Sequence, residues 1–146
     1  MSNNKHTDIL VIGSGPGGYA AAFRAADLGR EVTLVDKDPT LGGVCLNRGC
    51  IPSKTLLHIS KVLEEAESLK KMGVAFTKPT IDIDLVRDWK NKVVAQLSGG
   101  IGQMAKARKV KTIQAEATFL SDNEVQLKSE SSTEKITFDH CIIATG

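Results

Sequence analysis

The chain has 146 residues, 41% of them hydrophobic and 25% charged, with a formal net charge of +2. That is enough for one domain with its own core, and so small a charge argues against a nucleic-acid or membrane surface. No apolar run approaches the ~18 residues needed to cross a bilayer, and the polar start, residues 1–8, lacks the apolar core of a signal peptide, so the expected compartment is the cytoplasm. Three cysteines do not make a disulfide scaffold there; a close pair points to catalysis or metal binding.

Residues 8–13 are a continuous apolar run rich in β-branched side chains, which suits a strand buried on both faces. Pro16 can open a helix and Gly29 can close it. Residues 31–36 read as a second buried strand, completing a βαβ unit. A helix is expected over about 52–71, with Leu56, Ile59, Leu63, Ala66 and Leu69 near one face and Gly73 ending it. Asp84 is the expected cap of another long helix, along which Leu85, Trp89, Val93, Leu97 and Ile101 recur as a core face. Gly99, Gly100 and Gly102 should loosen or break it. Segments 111–119, 124–129 and 134–138 then read as an antiparallel meander, and His140 to Thr145 as another buried strand. No repeat, linker or low-complexity tract interrupts the chain. The expected fold is a Rossmann-like α/β domain: a parallel sheet built on the βαβ unit, with an antiparallel β-meander.

Residues 13–18 read Gly13-Ser14-Gly15-Pro16-Gly17-Gly18, a G-x-G-x-x-G between a strand and a helix. Gly13 permits the tight turn, Gly15 lets the backbone approach a pyrophosphate, and Gly18 lets helix pack on strand. The helix N-terminus offers free N–H groups and partial positive charge to phosphates. Asp36, at the end of the second strand, supplies the carboxylate for ribose hydroxyls and would repel a 2′-phosphate. No Gly-Lys-Ser/Thr follows, which excludes a P-loop. The turn alone leaves FAD and NAD both open.

Cys45 and Cys50 lie five residues apart. Closing so short a loop is worth only roughly 2 kcal/mol in the chain-entropy model. An unbroken helix would separate them by about 7.5 Å in axial rise alone. A bridge therefore requires a bent backbone, which Gly49 and Pro52 permit. Short, strained, accessible disulfides are the ones that open and close in catalysis, so the pair reads as a redox dithiol. The spacing does not suit a zinc knuckle, and no metal site is expected. A dithiol beside a dinucleotide site needs a two-electron relay, which favours a flavin over a nicotinamide at the first site. Cys141 reads as core packing, so a Cys141–His140 catalytic pair is not favoured. His6 and His58 have no supporting constellation, Trp89 reads as core, and Lys106, Arg108, Lys109 and Lys111 read as a solvated face.

The stretch Leu41-Gly42-Gly43-Val44-Cys45-Leu46-Asn47-Arg48-Gly49-Cys50-Ile51-Pro52-Ser53-Lys54 resembles the active-site signature of the FAD-dependent pyridine nucleotide–disulfide oxidoreductases. The likeness extends to 80–84, to the helix around Trp89 and to Ala144-Thr145-Gly146. Within the family it is most similar to bacterial members that oxidise dihydrolipoamide in 2-oxo acid dehydrogenase complexes; glutathione and mercuric reductases share its outline.

The resemblance implies that residues 1–146 are the N-terminal portion of an FAD-binding domain, with 42–54 as its redox segment. It makes Cys45 the interchange thiol toward the lipoyl group and Cys50 the thiol against the flavin, with Lys54 near the flavin's reactive edge. FAD is implied at Gly13, Gly15, Pro16, Gly17, Gly18, Asp36, Lys37, Gly43, Val44, Cys45, Lys54, Ala117, Thr145 and Gly146, with Ala117 meeting the adenine through its backbone. NAD is the implied electron acceptor, the lipoyl domain of an acyltransferase component the implied partner, and a homodimer the implied assembly, with neither nucleic acid nor membrane.

Two positions depart from the pattern: Asp36 stands where Glu is usual, and Arg48 where a small apolar residue is common. An inward Arg48 would lower a thiol pKa; facing solvent or a carboxylate, it would not. A second G-x-G-x-x-G for NAD, the later Gly-Asp segment and the His–Glu acid/base pair of the family are not in this sequence. The chain is therefore expected to be part of a longer enzyme and not competent for full turnover alone. A non-catalytic dinucleotide-binding module is the competing reading.

Overall fold

A computed structural model describes residues 5–146; residues 1–4, part of the polar start discussed above, lie outside the described residues. Strand β1 (Lys5–Ile12) leads through helix α1 (Pro16–Asp27) to β2 (Val32–Asp36). Helices α2 (Gly43–Asn47), α3 (Cys50–Ser68) and α4 (Ile83–Ala107) follow, then strands β3 (Lys111–Gln114), β4 (Glu116–Ser121), β5 (Glu124–Lys128) and β6 (Thr133–Ile143). The strands form one sheet in the order β3-β2-β1-β6-β5-β4. The first four in that order run parallel, while β5 and β4 continue the sheet antiparallel. The expected parallel sheet and antiparallel meander are both present.

Alternation along the central strands divides the core in two. Val11 and Leu34 face α1 and α4, packing with Ala22, Phe23, Ile101 and Ala105. Their neighbours Leu10 and Val35 face the other way, packing with Val125 and Leu127 of β5 and Ile136 and Phe138 of β6. Arg108, just past α4, stacks over Phe23 at 5.2 Å and lies 3.0 Å from Asp27, tying the end of α4 to α1.

Several boundaries differ from the sequence reading. β1 begins at Lys5 rather than residue 8, because Lys5, His6 and Thr7 pair with Ile136, Thr137 and Phe138. The helix expected from 52 begins at Cys50, and Pro52 is tolerated because it falls in the first turn, where its missing N–H has no helical partner to lose. The cap of α4 is Asp82, whose carboxylate accepts the N–H groups of Asp84 (3.0 Å) and Leu85 (3.1 Å). Asp84 sits inside the first turn and pairs with Arg87 at 2.7 Å. The glycines at 99, 100 and 102 do not break α4, because the buried Ile101 and Ala105 hold that stretch against the core. The inward stripe of α4 matches the expected one in part: Ile101 is buried and Val93 half-buried. Val86, Val94, Ile101 and Ala105 turn toward the protein, while Leu85 and Leu97 are exposed and Trp89 is 52% exposed rather than core. Leu56 of α3 is likewise exposed.

The segment 111–119 is two strands, not one. Its first part extends the parallel sheet beside β2, and at Ala115, whose N–H donates to the Asp36 carbonyl (2.9 Å), the chain turns into the meander. Conversely, 134–138 and 140–143 form the single strand β6, which the polar pair Asp139-His140 does not interrupt because ladder bonding to β1 continues through it. Its end is not buried as expected: Ile142 and Ile143 are exposed, while Cys141 packs half-buried against the second core cluster.

Candidate functional site

The C-terminal ends of β1 and β2 open onto a turn and two loops that make the site. After Ile12 the backbone enters the left-handed region at Gly13 (φ +101°), where a Cβ would fall 2.2 Å from the Ala144 carbonyl oxygen. A Cβ at Gly18 would fall 1.7 Å from the Gly13 carbonyl oxygen, so α1 can lie this close to β1 only without one. Gly15 and Gly17 differ: a Cβ there meets nothing within 4 Å, because both face an open cleft. Gly15 caps α1 without a side-chain hydrogen bond, and the first turn contains no acidic residue, so its amides and positive end face the cleft uncompensated.

Asp36 forms the next wall. Ser14 gives it two hydrogen bonds on Oδ2, from N–H (2.7 Å) and Oγ (2.6 Å), and the Asp38 N–H donates to Oδ1 (2.9 Å). Burial alone would push the carboxyl up; these bonds, with the Lys37 charge, outweigh it and hold the group below the usual carboxylate range. Asp36 is thus an anion fixed by the turn it faces.

The dithiol segment closes over the turn. The Gly42 N–H donates to the Ser14 carbonyl (2.9 Å), which seats the start of α2 on it. Asn47 Nδ2 donates to the carbonyls of Gly43 (3.1 Å) and Leu41 (3.3 Å), bracing the short helix. Cys45 lies in α2, Cys50 begins α3, and the chain bends between them at Arg48 and Gly49. The bend expected from the five-residue spacing is present, though both cysteines themselves are helical. Both are thiols; Cys45 is half-buried and Cys50 exposed. The side-chain hydrogen bond with Cys50 holds the Cys45 thiol above its ordinary pKa, aided by burial and by repulsion from Cys50. The Cys50 N–H and the Lys54 charge act against that rise. Arg48 does not point at the thiols: it forms an ion pair with Asp38.

A cleft of about 590 Å³ runs between these parts. Gly13, Gly15, Pro16, Gly17, Asp36, Lys37, Gly43, Val44, Cys45, Thr145 and Gly146, all singled out in the sequence, line it together. A smaller hollow of about 250 Å³ continues past Asp36 and Lys37 to Ala117. Gly18 lies beneath the turn rather than on the cleft wall, Cys50 is exposed and does not line the cleft, and exposed Lys54 stands one turn along α3. The sequence reading does not single out Asp38, and names Ala144 only within the stretch 144–146 and not as a contact; both also line the cleft. Asp38 could have been found from its place two residues beyond a strand-ending carboxylate, and Ala144 from its neighbours Thr145 and Gly146. His6 does have neighbours: it lies with Asp8 and Asp139 at the opposite end of β1, their ligand atoms within 4.8 Å of one another, all outside the cleft.

The sequence model of the family described as pyridine nucleotide-disulphide oxidoreductase matches residues 7–146. The chain belongs to the pyridine nucleotide-disulphide oxidoreductase family. It is 48% identical over its whole length to the dihydrolipoyl dehydrogenase of Vibrio cholerae and 49% identical to that of Buchnera aphidicola from Acyrthosiphon pisum. Over 140 residues, 96% of the chain, it is 49% identical to the dihydrolipoyl dehydrogenase of Bacillus subtilis. It spans 31% of the length of the first two relatives and 30% of the third.

The family is FAD-dependent, and the residues here fit such a group. An uncapped helix start faces the cleft across two glycines that leave it open, a fixed carboxylate stands where a ribose would be met, and a hollow leads on toward Ala117.

Proposed function

We propose that residues 1–146 are the FAD-binding and dithiol portion of a dihydrolipoamide dehydrogenase, which oxidises dihydrolipoamide to lipoamide and passes the electrons to NAD. The observation that carries this reading is that Cys45 stands on the wall of the same cleft as the glycine turn and Asp36. Gly13, Gly15, Pro16, Gly17 and Gly18 would hold the pyrophosphate and Asp36 the adenosine ribose. Lys37, Gly43, Val44, Thr145 and Gly146 would line the remainder, Ala117 would face the adenine, and Lys54 would stand near the flavin. Bound FAD would supply a two-electron acceptor beside the dithiol.

The protein's own part is thiol–disulfide exchange. In the oxidised pair, a dihydrolipoamide thiolate attacks Cys45 Sγ; the Cys45–Cys50 bond breaks and Cys50 leaves as a thiolate. The second substrate thiolate then attacks the substrate sulfur in the mixed disulfide, which releases lipoamide and leaves the Cys45 thiolate to take a proton. Two electrons have moved from substrate to dithiol. Unequal roles are supported by the placement of the two thiols: Cys45 is half-buried and lines the cleft, while Cys50 is exposed and does not line it. None of His6, His58 or His140 lines the cleft, so the proton-accepting base for the substrate thiol is assigned to other parts of the enzyme.

By the same reading the enzyme is a cytoplasmic homodimer that meets the lipoyl domain of an acyltransferase in a 2-oxo acid dehydrogenase complex. No helix among the described residues is long and apolar enough to cross a membrane. Flavin uptake tests the reading. Purified chain should take up FAD, and partial reduction should give a long-wavelength charge-transfer band that Cys50→Ser abolishes and Cys45→Ser retains. A chain that binds no added FAD would leave only the non-catalytic module.

A further inference from the structure

Arg48 lies between the two cysteines in sequence yet takes no part in their hydrogen bonding. Its Nη2 pairs with a carboxylate oxygen of Asp38; the Arg48 side chain is 60% exposed and that of Asp38 25%. Both residues line the cleft with the glycine turn. Asp38 is also tied to the ribose-side carboxylate, since its N–H donates to Asp36 Oδ1. One wall of a cleft that suits a pyrophosphate therefore carries two carboxylates. Asp36 has a use there, as an acceptor for hydroxyls. Asp38, left alone, would repel a phosphate at close range.

A guanidinium carries five N–H donors in a planar fork, and the Asp38 pair engages Nη2 alone. Among the described residues the remaining donors have no partner, and they can meet an anion in the same cleft.

We propose that Arg48 positions the dinucleotide: it neutralises Asp38 and presents its remaining N–H donors to the pyrophosphate at the glycine turn. This rests on the dinucleotide reading above and adds to it a residue outside the G-x-G-x-x-G signature. It also gives Arg48 a task distinct from tuning the thiols. A lysine would neutralise Asp38 but could not hold carboxylate and phosphate in one planar fork.

The test is a set of titrations with FAD, ADP and adenosine, read by flavin fluorescence and calorimetry, on the full chain and four variants. Arg48→Val should weaken FAD and ADP about tenfold at low ionic strength, and Arg48→Lys about threefold, with both losses shrinking in high salt. Adenosine binding should not change, since adenosine has no phosphate. Asp38→Asn should bind FAD and ADP at least as tightly as the parent. The Arg48→Val/Asp38→Asn double variant should recover to within about threefold of the parent, because the unneutralised carboxylate is gone.

Equal FAD and ADP affinity in Arg48→Val and the parent would overturn the inference. So would an equal loss of adenosine, which would mark a merely structural residue, or losses at the two positions that simply add. A parent chain that binds neither FAD nor ADP would overturn the dinucleotide reading and this inference together.

Discussion

Ser14 and Asp36 are joined twice: the backbone N–H and the hydroxyl of Ser14 both donate to the same carboxylate oxygen, at 2.7 and 2.6 Å. A turn residue thereby fixes a strand-end anion 22 positions away. Ser14→Ala removes one charge-assisted bond in a fully buried setting, and is expected to cost about 1–2 kcal/mol of stability. Urea unfolding measures it directly; an unchanged midpoint would show that the hydroxyl bond adds nothing.

Because the Asp36 carboxyl is held below its ordinary range, its ionised form is favoured by the fold. That stabilisation is fully present above the unfolded value of about 3.9 and is lost as pH falls through the lower folded value. The stability gap between the parent and Asp36→Asn should therefore be widest near neutrality and close on acidification. A gap independent of pH would mean that Asp36 acts through shape alone.

The Cys45 thiol titrates above its ordinary value, and Lys54 opposes the shift. Alkylation of Cys45 in the reduced protein should be slow near pH 7 and rise only above the range of a free thiol, about 8.5. Lys54→Met removes the opposing charge, so its alkylation profile should move further to alkaline pH. Mass spectrometry of the Cys45 peptide across pH separates the two profiles; a shift toward acid would contradict the assignment.

The glycines of the turn should divide into two classes. Gly18→Ala places a Cβ within 1.7 Å of a backbone oxygen, and should prevent folding or displace α1. Gly15→Ala has open space around its Cβ, so the chain should fold normally and lose dinucleotide binding instead. Circular dichroism alongside FAD titration distinguishes the two outcomes.

The start of α4 offers a further comparison. Asp82→Ala removes a carboxylate that accepts two first-turn N–H groups, and should cost about 1 kcal/mol; Asp84→Ala, losing a surface ion pair, should cost less. Equal losses would return the capping role to Asp84.

Features whose partners lie close in sequence were legible there. The spacing from Gly13 to Gly18 shows where a turn must be tight and where a helix must approach a strand. The five residues between Cys45 and Cys50 demand a bend whatever the rest of the chain does. Features set by distant partners were not legible. Three glycines in α4 signal a break, but Ile101 and Ala105 bury against residues up to 94 positions earlier, and that packing prevails. The division of 111–119 depends on the hydrogen bond from Ala115 to Asp36, and the continuity of β6 on its ladder with β1. The Arg48–Asp38 pair lies between these cases: ten positions separate its members, and the loop after β2 and the helix α2 between them set their approach.

The position of β6 governs the order in which the protein can assemble on the ribosome. β1 is made well before its partner on one side, which lies about 131 positions later, as in the pairing of Lys5 with Ile136. Until that strand emerges, β1 has one open edge, and the Gly13 turn lacks the Ala144 backbone it packs against. The βαβ unit can form early from local contacts, but the floor of the cleft closes only when residues 136–144 arrive. During synthesis the nascent chain would carry a nearly finished dinucleotide turn with an unpaired strand beside it, exposed to aggregation until β6 docks.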